Sequence, residues 1–176
     1  MTQDQQASST ITIRRARADE MTAFRALRLR ALADAPEAFS TTLAEAEAMP
    51  ASIWEQRVPD GAAGVKSVMM VAADTSTDAW LGMTVGVRDR DDAALAHVVS
   101  VWVAPEARRS GAARRLLEAV HDWARACGVR TMRLGVTDTN AAARRLYQGA
   151  DYRETGESHP LAAHPGLHEL TMTFDL

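Results

Sequence analysis

The sequence contains one cysteine, one lysine, few aromatic residues and no long hydrophobic run. The single cysteine, Cys127, excludes an internal disulfide, so a reducing compartment is expected. No apolar stretch approaches the roughly 20 residues of a membrane span, and the polar first ten residues lack the apolar core of a signal peptide. We therefore expect a cytoplasmic protein that does not enter a membrane.

The chain also lacks a large charge of either sign. Its 20 basic and 23 acidic side chains leave a formal net charge of −3 at pH 7. A local cluster of Arg108, Arg109, Arg114 and Arg115 has no interleaved aromatic residues, so it does not indicate a nucleic-acid surface. The histidines and the cysteine show no metal-ligand spacing. We predict neither a nucleic-acid partner nor a metal.

The length and composition are typical of a single globular domain. Of the 176 residues, 47% are hydrophobic and only 5% aromatic, which predicts a mainly aliphatic core. Residues 1–10 are rich in Gln, Ser and Thr and are predicted to be a disordered tail, with one domain over residues 11–176. Abundant arginine and alanine are associated with GC-rich bacterial genomes.

Hydrophobic periodicity predicts a mixed arrangement of strands and helices. A hairpin over residues 67–87 predicts antiparallel pairing, and a strand–helix–strand unit over residues 95–136 predicts a parallel crossover. Other strands are predicted over residues 10–14, from Tyr152, and where Leu170, Met172 and Phe174 alternate. Helices are predicted after Asp19 as cap, at a Ser52-x-x-Glu55 capping box, and from Ala113 to a C-terminal Gly128. A short helix is predicted over residues 141–148, after a capping turn that ends at Asn140.

The most informative segment is the turn that joins the strand over residues 95–103 to the following helix. The apolar run stops at Pro105, and Gly111 opens the helix. Unpaired N–H groups at a helix N-terminus carry the positive end of the helix dipole, so this basic turn of small residues can hold a phosphate. Neither a three-glycine dinucleotide fingerprint nor a Walker loop matches, since only one glycine is present and the single lysine, Lys66, lies elsewhere.

Residues 108–113, Arg-Arg-Ser-Gly-Ala-Ala, resemble the pyrophosphate-binding motif (Arg/Gln)-x-x-Gly-x-(Gly/Ala) of the GNAT N-acetyltransferase superfamily. A second element, Asn140-x-x-Ala143-x-x-Leu146-Tyr147, follows at the family's distance, although Asp151-Tyr152 replaces the usual Gly-Phe. The resemblance covers residues 11–176 and is specific over residues 95–152. It implies that acetyl-CoA binds as acyl donor to Val101, Trp102, Val103, Arg108, Arg109, Ser110, Gly111, Ala112, Ala113, Arg114, Asn140 and Tyr147.

The resemblance also implies an α/β fold with a mixed, mostly antiparallel sheet and helices on both faces. In the family, the strand equivalent to residues 95–103 and its parallel neighbour, here residues 129–136, splay apart. The pantetheine arm of the coenzyme lies in the gap and pairs with the exposed backbone of the first strand. A backbone N–H near residues 101–103 is expected to stabilise the developing oxyanion.

Acetyl transfer to an amine also needs a base and an acid. His97 occupies a position that often carries a glutamate base in the family, and an imidazole can do the same work. His168 and Glu169, on or beside the last strand, are reserve candidates for the base. Tyr147 occupies the position of a tyrosine that protonates the leaving thiolate in many relatives, although packing in the core is the alternative role.

The predicted function is transfer of an acetyl group to a primary amine by direct attack in a ternary complex, with a non-catalytic acyl-CoA-binding or regulatory module as the alternative. Family acceptors include aminoglycosides, polyamines, amino acids and protein N-termini, and the fold does not select among them. A homodimer is left open.

The acceptor pocket is expected to form from the first two helices and a loop that contains His159 and His164. His121 is predicted to lie at the protein surface, on the helix that follows the phosphate turn. Five acidic residues could line a pocket for a cationic acceptor or form a solvated surface: Glu37, Glu45, Glu47, Glu55 and Glu157.

Overall fold

A computed structural model describes residues 10–176, so the predicted tail falls almost wholly outside the described residues. Within them one sheet is flanked by helices, and every predicted strand is present. The strands are β1 (Ile11–Arg15), β2 (Ser67–Asp74), β3 (Trp80–Arg88), β4 (Leu95–Val103), β5 (Thr131–Thr137), β6 (Arg153–Pro160) and β7 (His168–Asp175). The helices are α1 (Met21–Asp34), α2 (Leu43–Glu47), α3 (Ala51–Ala63), α4 (Ala112–Ala126) and α5 (Ala141–Gly149), with 3₁₀ turns at Pro36–Ala38 and Pro105–Ala107.

The sheet has the order β1-β2-β3-β4-β5-β7-β6 and is antiparallel except between β4 and β5. The parallel pairing runs from Leu95 opposite Thr131 to Val98 opposite Leu134 and then stops. Both strands continue, β4 to Val103 and β5 to Thr137, without pairing to each other. The predicted splay between these two strands is therefore confirmed.

A β-bulge at Ser100 accompanies the splay. Between the β3–β4 pairs Val85–Val99 and Met83–Trp102, β4 contains one residue more than β3. Ser100 has a φ of 59°, a left-handed conformation that relieves the extra length. The extra residue reverses the alternation of the strand, so that Val98 and Val101 pack into the same core although they are three positions apart.

The helices cover both faces of the sheet and enclose two hydrophobic cores. One core lies under α4 and α5 and contains Leu116, Val120 and Tyr152. The other lies under α1, α2 and α3 and contains Leu32 and Trp54. Among the described residues, no helix is long and apolar enough to cross a membrane.

Two predicted helix caps are wrong. Glu20, not Asp19, precedes α1, and its carboxylate binds the Arg14 guanidinium (2.6 and 2.9 Å) instead of capping the helix. Helix α3 begins directly after Pro50, so Ser52 lies inside the first turn. The capping box belongs to α2, where Thr42 accepts from the Glu45 N–H and the Glu45 carboxylate accepts from the Thr42 N–H.

Two histidines also lie elsewhere than predicted. His121 is buried, at 5% exposure, because its helix face packs on the sheet despite charged neighbours in sequence. It shares a hydrogen bond with the Tyr152 hydroxyl (2.8 Å) and stacks on Phe174, and burial lowers its pKa to about 4. His159 lies in β6 opposite Glu169, not in a loop.

Candidate functional site

Three neighbouring cavities, which share lining residues, lie at the splay between β4 and β5. The large cavity, of about 620 Å³, extends from the C-terminal half of β4 to α5. The polar cavity, of about 380 Å³, lies on the other side of the gap. A channel of about 70 Å³ shares Val101 and Tyr147 with the large cavity and Val99 and Gly135 with the polar cavity. The gap therefore gives two separate approaches to one point on β4.

The turn before α4 is held open by its backbone conformation. Arg109 and Gly111 have φ values of 62° and 80°, and the Ser110 Oγ donates to the Ala107 carbonyl (2.7 Å). No atom lies within 4 Å of the position that a Cβ on Gly111 would occupy. The first N–H groups of α4 have no carbonyl partner within the helix. The turn thus presents N–H groups beside open space, as an anion site requires.

The arginines around this turn already have partners within the protein. The Arg108 guanidinium binds the Asp34 carboxylate, and its Nε donates to the Val103 carbonyl (3.1 Å). Arg114 donates to Glu118 (3.0 Å). The predicted contacts that line the large cavity are Val101, Trp102, Val103, Arg108, Ala113, Asn140 and Tyr147, whereas Arg109, Ser110, Gly111, Ala112 and Arg114 form the turn and helix start beside it.

The second motif forms α5 and positions Tyr147. Asn140 caps the helix as predicted, with its Oδ1 accepting from the Ala143 N–H (3.0 Å). Tyr147 is 6% exposed and lines both the large cavity and the channel. Burial raises its pKa well above the usual value, so the phenol keeps its proton at neutral pH. Asp151, where the family usually has glycine, adopts the left-handed conformation with a φ of 66°.

Of the three candidate bases, His97 and Glu169 line the polar cavity. His97 Nε2 lies 2.8 Å from Asp89 Oδ2, and this hydrogen bond, with backbone N–H donors, lowers the pKa of Asp89 to about 2. The Glu169 carboxylate lies over the Cα of Gly135. A Cβ atom built on Gly135 would be only 2.1 Å from the Glu169 carboxyl carbon. His168 is half-exposed and lines none of the three cavities.

Two arginines in the polar cavity were not identified from the sequence. Arg28 is 8% exposed and lies over the Phe39 ring, with its Cζ 4.3 Å from the ring centroid. Burial, with the charge of Arg57, lowers its pKa to about 10. Arg133, on β5, has a buried Nε without a hydrogen-bond partner. A signal for Arg28 was available, since it falls on the buried stripe of α1 beside Leu27 and Leu32.

Of the two alternatives for the five acidic residues, the acidic pocket does not form. Only Glu37 lines the large cavity and only Glu157 the polar one, while Glu45 belongs to the α2 capping box. Of the elements expected on the acceptor side, α1 contributes Arg28, and His159 also lines the polar cavity, although from β6 and not from a loop. The expected contribution of the second helix is wrong, since no residue of α2 or α3 lines the polar cavity. His164 lines none of the cavities. Within residues 10–176, no three His, Cys, Asp or Glu side chains are grouped to hold a metal ion.

Comparison with known proteins identifies the class. The Acetyltransferase (GNAT) family profile matches residues 29–152, so the chain belongs to this family. The fold is similar to a putative acetyltransferase, yncA, of Salmonella typhimurium, solved with its cofactor acetyl-CoA (20% identity, TM-score 0.76, covering 96% of this chain and 95% of that one). It is also similar to a ribosomal-protein-alanine N-acetyltransferase of Brucella melitensis (23%, 0.73, 94% and 99%). No curated protein sequence matches the chain.

The family uses acetyl-CoA as acyl donor, and the residues present fit this molecule. The Gly111 turn offers N–H groups and open space for the pyrophosphate. Beyond Val98, the β4 edge that faces β5 has no strand partner, so its backbone groups are available to an amide-containing arm. The large cavity adjoins this edge and ends at Tyr147.

Proposed function

We propose that the protein is an acetyl-CoA-dependent N-acetyltransferase that moves the acetyl group to a primary amine by direct attack in a ternary complex. The observation that carries the proposal is the channel, which lies at the splay and shares lining residues with both the large cavity and the polar cavity. A donor that lies along β4 and an acceptor in the polar cavity can meet there without either having to leave. This arrangement suits a direct transfer better than a covalent enzyme intermediate.

The transfer requires the amine to lose a proton before it attacks. The amine nitrogen then forms a bond to the thioester carbonyl carbon, and the carbon–sulfur bond breaks. The thiolate that leaves takes a proton from the hydroxyl of Tyr147, a residue that lines the channel and whose hydroxyl has no hydrogen-bond partner in the described part of the chain. The nitrogen loses its second proton as the amide forms, and a proton transferred through solvent returns the tyrosinate to the phenol. A backbone N–H group within residues 101–103 is proposed to stabilise the negative charge that develops on the carbonyl oxygen.

His97 is proposed as the base that receives the amine proton, and Glu169 is its competitor. His97 lines the polar cavity, and its bond to the ionised Asp89 fixes the orientation of the imidazole. Glu169 places its carboxylate over Gly135, which also lines the channel. A histidine and a glutamate titrate in different pH ranges, so the two assignments are separated by the pH profile of kcat/KM.

The proposed function is tested by incubating the protein with acetyl-CoA and a broad panel of amines. Release of free thiol should depend on both the enzyme and the amine, and mass spectrometry should find an amide product. If acetyl-CoA raises the melting temperature but no amine promotes thiol release, the alternative of a non-catalytic acyl-CoA-binding module replaces this proposal.

A further inference from the structure

The polar cavity contains two positively charged side chains that lack a carboxylate partner. Arg28 is more than nine-tenths buried and lines this cavity. Its only hydrogen bond among the described residues is a long one, from Nη1 to the Ser100 Oγ (3.4 Å). No Asp or Glu oxygen of residues 10–176 lies within 4.0 Å of its guanidinium nitrogens. Arg133 lines the same cavity with a buried, unpartnered Nε.

A buried cation without a counter-ion destabilises a protein, because the charge loses its hydration and gains no ion pair. Position 28 lies on the buried stripe of α1 between Leu27 and Ala31, where a hydrophobic residue would pack at no such cost. The stacking of Arg28 on Phe39 offsets part of that cost but leaves most guanidinium N–H groups without a hydrogen-bond partner among the described residues. The two arginines together therefore form a site for an anion, and for a planar carboxylate in particular.

The opposite charge lies at the channel end of the same cavity. The Glu169 carboxylate covers Gly135, and Gly135 lines both the polar cavity and the channel. Arg133 and Gly135 are alternate residues of β5 on one face of the sheet, so their Cα atoms are about 7 Å apart. The Glu169 carboxylate and the two arginines thus place opposite charges in one small cavity, which matches a molecule with an amine and a carboxylate close together.

We propose that the acceptor is an α-amino acid or a similarly small amino-carboxylate. Arg28 and Arg133 bind its carboxylate, and Glu169 holds its ammonium group toward the channel. This inference rests on the proposed function. A cavity of about 380 Å³ suits a molecule of this size. A polyamine or an aminoglycoside would instead place further positive charge against the two arginines.

The test is a matched set of acceptors assayed with the wild-type protein and acetyl-CoA. Each L-amino acid is compared with its carboxamide and with the corresponding amine that lacks the carboxyl group. For the amino acid that is acetylated most efficiently, kcat/KM should exceed that of its carboxamide by about tenfold or more, since the carboxamide leaves two guanidinium groups unpaired. Transfer to carboxamides, polyamines or peptides that equals or exceeds transfer to the acids would overturn the inference while leaving the proposed function intact. Absence of transfer to any amine would overturn both.

Two variants test the residues themselves. Arg28→Met and Arg133→Gln should each lower the acid-over-carboxamide preference to within about threefold of unity, chiefly through the KM of the acid. The controls are Arg25→Met on the same helix and Arg130→Gln just before β5, both exposed and outside the cavity. Retention of the preference in folded Arg28→Met and Arg133→Gln would contradict the inference. If Arg28→Met does not fold, Arg133→Gln, which replaces a half-buried residue, provides the same test.

Discussion

The two cavities that meet at the splay are built in different ways. The large cavity and its phosphate turn come mainly from the continuous segment β4 to α4 and from α5, with residues 34–38 also in the lining, and the turn and the unpaired edge of β4 offer backbone groups. The polar cavity is formed by side chains from α1, β4, β5, β6 and β7 and from the segment after Pro36–Ala38. Backbone sites are defined by local conformation, whereas side-chain sites depend on distant elements coming together. The donor, which the members of this family share, corresponds to the backbone site, and the acceptor, which differs among them, corresponds to the side-chain site.

The largest effect is expected at Tyr147, which lies where the two cavities meet. Tyr147→Phe should lower kcat by about tenfold to ten-thousandfold, because the leaving thiolate loses its proton source. The acetyl-CoA affinity, measured by calorimetry, should change little, since the ring still packs in the core. A large loss of affinity with unchanged kcat would assign Tyr147 to packing instead.

The base on the acceptor side is identified by comparing His97→Ala with Glu169→Gln. Removal of the true base should lower kcat/KM by about a hundredfold or more near neutral pH and should remove the low-pH limb of the profile. That limb rises with pH, because only the deprotonated group accepts the amine proton. In model peptides the side-chain pKa is roughly 6.5 for histidine and 4.3 for glutamate. If the pH profile of His97→Ala keeps its low-pH limb, Glu169 becomes the candidate base instead.

Gly111→Asp is designed to damage the donor side alone. The aspartate would place a carboxylate where the turn faces open space, and it would repel a pyrophosphate. At acetyl-CoA concentrations of 100 times Kd, wild type gains about 2.7 kcal/mol of stability, most of which the variant should lose. Gly156→Asp is the matched control, because Gly156 also has a positive φ and open space around it but lies in β6. Equal stabilisation of Gly111→Asp and wild type would remove the phosphate site from the turn.

Gly135→Ala is the corresponding change on the acceptor side. The added methyl group must displace the Glu169 carboxylate, which is the mobile end of a long side chain, so the fold should be retained. We expect the KM for the amine to rise about tenfold, while the thermal stabilisation by acetyl-CoA stays as in wild type. An equal loss of acetyl-CoA binding would show that the two sides of the splay are not independent.

The smallest expected effect concerns the core under the donor side. Burial holds the pKa of His121 at about 4, below its value in the unfolded chain. Between these two pKa values the unfolded state binds more protons than the folded state, so stability falls as the pH falls. The loss between pH 8 and pH 5 should be about 1–2 kcal/mol, and His121→Gln should reduce this slope in urea unfolding curves. An unchanged slope would assign the acid sensitivity to other groups.

The sequence predicted the donor side better than the acceptor side, for a physical reason. The bounds of β4, the C-terminal Gly128 of α4 and the Asn140 cap depend on neighbouring residues and were confirmed. Periodicity on α1 indicates that Arg28 is buried, but the cavity that Arg28 lines depends on Phe39 and on the bulge in β4, which lie elsewhere in the chain. His121 was placed wrongly for the same reason, since its partner Tyr152 lies on a distant part of the chain.

The bulge at Ser100 is one residue that the pairing of β4 with β3 does not use. Loss of the codon for this residue would leave Val101 directly after Val99. Regular alternation would then keep Val101 and Val103 in the core they occupy and Trp102 on the opposite face, in the same register with β3. One missing amino acid would thus remove the bulge and the bend it gives the strand, and not the faces on which the last three residues lie. In a library that includes single-residue deletions, loss of Ser100 should therefore leave the protein folded.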